Sequence, residues 1–209
     1  MRRWFLVRHG ETEWNRVGRA QGHADPPLNQ AGREQAEAVA VRLARVTFEA
    51  AYSSDLRRAA DTAAPIMRGR DAPIVYRRDL REKSFGEWEG LTYDEVQRRH
   101  PAMLEELFDE QPEFAPPGGE SDLDLFTRAS GAAARIAGRH TGTEGNILVV
   151  SHGGTLRAMM VSMLGLPVES MWRLRLSNAA LSVITVYEEG GATIDLLNDT
   201  GHLGPGLDA

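Results

Sequence analysis

The 209-residue chain contains no cysteine, which excludes disulfides, thiolate nucleophiles and cysteine-bound metal, and leaves the redox compartment unrecorded. Lysine is almost missing as well: Lys83 is the single lysine among 24 basic residues. There is no excess of positive charge, since the formal net charge is −6 with acids and bases interspersed. That excludes the clustered basic surface of a nucleic-acid binder. No apolar run approaches the roughly 18 residues of a membrane span. The opening Met1-Arg2-Arg3-Trp4 leads straight into an apolar stretch with no room for a signal peptide, so a cytoplasmic protein without membrane or nucleic-acid partners is expected. What is there is ordinary for a globular domain: 42% hydrophobic and 26% charged residues, in a length that suits one domain, 1–209. An anionic ligand would have to be drawn by a local positive pocket against the overall field.

The hydrophobic pattern alternates between short apolar runs and helical stripes. Trp4 to Val7, Ala50 to Ser53, Pro73 to Tyr76 and Asn146 to Val150 read as strands, the last with the continuous apolar character of a central parallel strand. Helices are expected from Asn29, a good N-cap, through Leu43, and from about Ser54 toward Met67, with Pro65 shortening or kinking it. Others are expected from the Thr92/Glu95 capping box to His100, from Pro101 to Phe108, from Ser121 past Ala137, and from Leu156 to Leu164 with Gly165 closing it. Leu181 to Tyr187 and Ala192 to Leu197 read as a hairpin across Glu189-Gly190-Gly191, and the tail from Asn198 as irregular. Gly10 to Pro27 is a long loop, and Pro112 to Gly119 a proline-rich one. Together these predict an α/β fold: a three-layer αβα sandwich with a mostly parallel central sheet and an antiparallel edge. Residues 82–119 form an excursion over one edge of it.

Two strand ends look alike. Leu6-Val7-Arg8-His9-Gly10 and Val149-Val150-Ser151-His152-Gly153 each place a histidine just beyond an apolar strand, followed by a glycine where backbone can approach a ligand. Parallel strands put both ends on the same side of the sheet, where open α/β folds build their crevices. Arg8, Arg58 and Arg157, with the backbone N–H groups of helix starts, favour an anion there. Two imidazoles among guanidiniums suit a phosphate better than a metal, and no metal-ligand spacing or Gly-x-x-x-x-Gly-Lys loop occurs. No metal and no cofactor are therefore expected. Taken singly, each of these residues has an ordinary explanation in a turn or on a solvated face. His23, His100, His140 and His202 read as surface or loop residues, with His202 the one exception considered. Trp88 and Trp172 read as packing residues, and Met159, Met160 and Met163 as core.

Leu6-Val7-Arg8-His9-Gly10-Glu11-Thr12, with Trp14-Asn15 behind it, resembles the signature of the histidine phosphatase superfamily, which includes the cofactor-dependent phosphoglycerate mutases. The resemblance continues in family order through Ser53-Ser54-Asp55-Leu56-Arg57-Arg58-Ala59, Leu80-Arg81-Glu82, Phe85-Gly86-Glu87-Trp88-Glu89-Gly90, Pro117-Gly118-Gly119-Glu120-Ser121 and Ser151-His152-Gly153, covering nearly the whole chain. It implies that His9 is the nucleophile and carries the phosphoryl group as a phosphohistidine. It implies further that Arg8, Arg58 and His152 hold the oxygens of that group, with His152 helping to keep the site cationic. Glu82 would protonate the leaving oxygen and later take a proton from water. Motif register selects Glu82 over Glu87 and Glu89, and Arg58 over Arg57. Asn15, Gln21, Gly22 and the Gly153 backbone are carried over as phosphate contacts. The compact stretch between Glu82 and His152 and the Pro117 to Ser121 motif followed by Arg128 resemble the phosphatase branch. The expected activity is thus metal-independent hydrolysis of a small-molecule phosphate ester. The alternatives are a 2,3-bisphosphoglycerate-dependent phosphoglycerate mutase and an inactive relative that binds a phosphorylated partner. Relatives are commonly dimers, so a homodimer is also implied.

Overall fold

The structure is a computed structural model, described for residues 1–99, 101, 111–142 and 144–204. Its centre is a six-stranded sheet in the order β3-β2-β4-β1-β5-β6. The strands are β1 (Arg2–Arg8), β2 (Ala50–Ser54), β3 (Ile74–Arg77), β4 (Gly145–Ser151), β5 (Leu181–Val186) and β6 (Ala192–Asp199). The first four run parallel; β5 is antiparallel to β1, and β6 to β5. The parallel strands need crossovers, supplied by α2 (Gln30–Arg42), α3 (Arg57–Met67) and α5 (Asp122–Arg139). α6 (Gly153–Met163) follows β4, α1 (Glu13–Arg16) lies in the loop after β1, and α4 (Tyr93–Arg99) lies in the excursion.

Side-chain alternation along the central strands builds a core on each face. Trp4, Leu6, Ile147 and Val149 pack with Leu125, Ala129, Ile136, Leu156 and Met159 of α5 and α6. Phe5, Val7, Leu148 and Val150 point the other way, against Val39 of α2 and Ala59, Ala63 and Ile66 of α3. Because β1 and β4 are covered on both sides, they carry no polar alternation, and this is why both were legible as apolar runs. Asn29 caps α2 by accepting from Gly32 N at 2.8 Å, and Ser121 and Asp124 form a complete capping box on α5.

Four local expectations change. The long loop contains α1, whose box is Thr12 with Asn15; one turn is too short to show a hydrophobic period. Pro65 sits in the last turn of α3, where the helix ends two residues later without a break. α6 starts at Gly153 and not at Leu156, with His152 as its N-cap residue; two poor helix formers disguised its first turn. The tail is ordered beyond Asn198: Asn198 and Asp199 complete β6, and Leu203 is buried against the α2–α3 face. The expected helix from Pro101 to Phe108 lies, apart from Pro101, outside the described residues, as does His100. No helix among the described residues is long and apolar enough to cross a membrane.

Candidate active site

Strand register brings the two histidines together. β1 and β4 pair in parallel with Arg8 opposite Ser151, so the next residues, His9 and His152, leave the sheet side by side. Their ring centroids are 5.1 Å apart. The backbone of His9 is held on both sides: its N–H donates to Ser151 O at 2.9 Å, and its carbonyl accepts from Ala179 N at 3.1 Å. Asn178 Nδ2 also donates to that carbonyl at 3.1 Å.

His9 is buried, and its Nδ1 lies 2.7 Å from the Gly10 carbonyl oxygen. A carbonyl can only accept, so Nδ1 carries the proton and Nε2 keeps its lone pair. Burial, then the Arg58 and Arg8 guanidiniums, push the His9 pKa well below the ordinary 6.5. The ring is therefore a neutral base with a free nitrogen at neutral pH. His152 is fully buried; its Nδ1 accepts from Arg58 Nε at 3.2 Å, and its Nε2 donates to Ser54 Oγ at 2.8 Å. Its pKa is also lowered well below 6.5, by burial first and then by Arg58 and His9. The positive charge of the site thus rests on guanidiniums, and His152 acts here as a neutral spacer between Arg58 and Ser54.

Arg58 is fully buried in the first turn of α3. Besides His152, it donates to Ala24 O at 2.7 Å and to Gly22 O at 2.8 Å. Arg8 donates from Nη1 to Leu176 O at 2.6 Å, while its buried Nε has no partner among the described residues. Burial lowers both arginines to about 10, so both remain charged at neutral pH. An orphaned guanidinium N–H facing a second guanidinium and two neutral imidazoles is a receptor for an oxyanion.

Glu82 belongs to the same cluster through α6. Its carboxylate accepts from Gly154 N at 3.1 Å, Thr155 N at 3.2 Å and Lys83 N at 2.9 Å. A Cβ on Gly154 would stand 2.5 Å from Glu82 Oε1, which explains a glycine in a helix that otherwise disfavours it. A Cβ on Gly153 would meet Arg157 Nη1 at 3.4 Å and Arg8 Nε at 3.5 Å, so the Gly153 backbone lies beside both guanidiniums.

The remaining expected contacts are in place to differing degrees. Asn15 Oδ1 is taken up by Thr12 and Asn178, leaving its Nδ2 donors without a partner among the described residues. Gln21 is buried, and its Oε1 has no partner among the described residues. Gly22 adopts φ +52° and holds Arg58 through its carbonyl. Sequence reasoning passed over several participants. Glu89 accepts from the N–H groups of His23 and Ala24, each at 2.8 Å, and so fixes the short backbone segment whose Gly22 and Ala24 carbonyls hold Arg58. His23, in the loop as expected, also bonds through Nε2 to the Glu82 carbonyl at 2.9 Å. His202 is removed from the cluster but donates to Ala179 O at 3.0 Å, behind the Ala179–His9 bond. Trp172 was expected to pack; it is 53% exposed, stacked under Arg157 at 5.1 Å. Trp88, Met159 and Met160 are core as expected.

Comparison with known proteins identifies the family. The family model for the histidine phosphatase superfamily (branch 1) matches residues 4–200. Phosphoserine phosphatase 1 of Hydrogenobacter thermophilus is 35% identical over 200 residues, covering 96% of this chain and 93% of that protein. The metal-independent phosphoserine phosphatase of Arabidopsis thaliana is 36% identical over 201 residues, covering 95% of this chain and 82% of that one. The solved structure of Bacillus stearothermophilus YhfR superposes with a TM-score of 0.88 at 34% identity, covering 98% of this chain and 100% of that one. The paired strand-end histidines, the buried arginines and these likenesses lead to one conclusion: the chain belongs to the histidine phosphatase superfamily.

Proposed function

We propose that the protein is a metal-independent phosphomonoesterase for small phosphorylated metabolites, working through a phosphohistidine on His9. The observation that carries this reading is the tautomer of His9, with Nδ1–H fixed on Gly10 O and Nε2 open within a cluster of arginines. In the first half-reaction the Nε2 lone pair attacks phosphorus, the N–P bond forms and the P–O bond to the alcohol breaks. Glu82, protonated at that stage, gives its proton to the leaving oxygen. In the second, Glu82 takes a proton from water as the water oxygen attacks phosphorus and the N–P electrons return to His9. Arg8, Arg58 and the Gly153 N–H at the start of α6 stabilise the charge spread over the three phosphoryl oxygens. His152 orients Arg58 and packs against the nucleophile, while Asn15, Gln21 and Gly22 complete the cradle.

Residues 1–209 act as one domain in this reading, with 82–119 as a cover over the site. Its two ends are tied by Glu87 N to Pro117 O and Glu120 N to Ser84 O, each at 2.9 Å. The relatives named for phosphoserine hydrolysis support a phosphatase over a mutase, and the intact His9, Arg58 and Glu82 arrangement argues against an inactive binding protein. A homodimer is the assembly proposed, to be read by light scattering.

A panel of phosphate esters, assayed with chelator and with or without 2,3-bisphosphoglycerate, decides the matter. Released inorganic phosphate in the presence of chelator is expected, together with an acid-labile, base-stable phosphoenzyme that His9→Ala lacks. Turnover in the variant should fall at least roughly 10³-fold, as for loss of a nucleophile. Isomerisation that requires the bisphosphate would establish the mutase, and no turnover of any ester would establish the binding role.

A further inference from the structure

A second construction lies beside Glu82 and is not needed to hold a phosphoryl group. Lys83, the chain's single lysine, is buried, and its Nζ donates to Asp122 Oδ1 at 2.7 Å. The other oxygen of Asp122 accepts from Trp172 Nε1 at 2.5 Å. The indole so anchored remains half in water and carries the Arg157 guanidinium over its face. Arg157 Nε donates to Leu174 O at 2.7 Å, which fixes the remaining rotation of the guanidinium. Its Nη1 and Nη2 have no partner among the described residues and are open to water.

The position of this fork is set by α6. Glu82 occupies the N–H groups of Gly154 and Thr155, and Arg157 stands one helical turn beyond Gly153 on the same helix. Its Nη1 and Arg8 Nε approach the same point above Gly153, within 3.5 Å. A group bound to Arg157 would therefore lie next to the transferring phosphoryl and close to the carboxylate that serves the leaving oxygen. With Nε engaged, the edge left free is two parallel N–H donors, the complement of a planar carboxylate. One guanidinium also balances one monoanion, whereas a second phosphate dianion would be undercompensated in a chain of net charge −6.

We infer that Arg157, braced by Trp172 and through it by Asp122 and Lys83, binds a carboxylate carried by the leaving alcohol, so that the preferred substrates are phosphate monoesters of small hydroxy acids. The inference rests on the phosphatase reading above. It is tested with ester pairs that differ in that group: O-phosphoserine against O-phosphoethanolamine, and 3-phosphoglycerate against glycerol 3-phosphate. The native enzyme should favour the carboxylate member of each pair by at least roughly tenfold in kcat/KM, the scale of a charge-assisted bidentate contact. Arg157→Gln should erase that preference through KM, lowering kcat/KM for the carboxylate member of each pair at least roughly tenfold more than for its partner. Trp172→Phe keeps a ring but loses the bond to Asp122, and should weaken the same preference in a variant with the core untouched. Equal losses on both members would place Arg157 on the transferring phosphoryl group and overturn the inference. So would a native enzyme that hydrolyses both members equally, an outcome that leaves the phosphatase reading standing. Hydrolysis of neither pair, nor of p-nitrophenyl phosphate, would reject the phosphatase reading and the inference with it.

Discussion

At the scale of single residues, the site works by satisfying polar groups until only the useful ones are left over. Arg58 shows this most fully: three of its nitrogens are committed, to His152, Gly22 O and Ala24 O. Its role is therefore geometric as much as electrostatic. Arg58→Lys keeps the charge but cannot reach three acceptors from one ammonium while also facing a ligand. A drop of roughly 10²-fold in kcat is expected from losing a preorganised donor to the phosphoryl oxygens. Steady-state kinetics with saturating ester would show it, and an unchanged kcat would mean that charge alone suffices. His9 and His152 follow the same logic. Each ring has one nitrogen or both tied to a fixed partner, so its protonation state is dictated by neighbours and not by bulk pH.

At the scale of elements, the decisive pieces are two strand ends, two helix starts and the segment that crosses them. Glu89 fastens that segment: its carboxylate accepts from His23 N, Ala24 N and, at 3.2 Å, Phe85 N. Glu89→Ala leaves three N–H groups unpaired, at a cost of about 1–3 kcal/mol for each one kept from water. It should lower kcat/KM for every ester alike, because the peptides that hold Arg58 loosen. A melting curve together with a two-ester comparison separates this uniform loss from the selective one expected at Arg157. These elements also mark how far the sequence was readable. β1 and β4 announced themselves as apolar runs ending in histidine, and their parallel register then fixed the pairing of His9 with His152. Helix caps such as Asn29 and Ser121 were visible because capping is local chemistry. The start of α6 was hidden, since Gly153 and Gly154 are there for closeness to Arg8, Arg157 and Glu82 and not for helix formation. Asn178, the roles of Ser54 and Glu89, and the exposed setting of Trp172 were illegible for a related reason. Their partners are far away in the chain, Asn178 and His9 by 169 positions, so no pattern in a short window records them.

At the scale of the whole molecule, the buried histidines couple folding to pH. Both His9 and His152 have pKa values well below 6.5 in the folded protein, burial being the largest cause in each. In the unfolded chain they would protonate near the ordinary value. Below that value the unfolded state binds more protons, so stability is fully present above pH 6.5 and is lost as pH falls from there toward the folded values. Each histidine contributes a slope of up to about 1.4 kcal/mol per pH unit in that window. His202, lowered by burial as well, acts in the same direction. Urea midpoints measured between pH 7.5 and 5.0 should therefore fall steadily on the acid side; a flat profile would mean that the histidines protonate without leaving their places. The sheet itself sets the other global property. The strands that carry His9 and His152 are hydrogen-bonded neighbours near its middle, with covered faces on both sides. Fraying at the outer strands leaves their spacing untouched, and the two rings part only when the whole sheet comes open. Catalytic competence is in that sense not a late refinement added to a finished scaffold, but appears and vanishes together with the cooperative unit that folds.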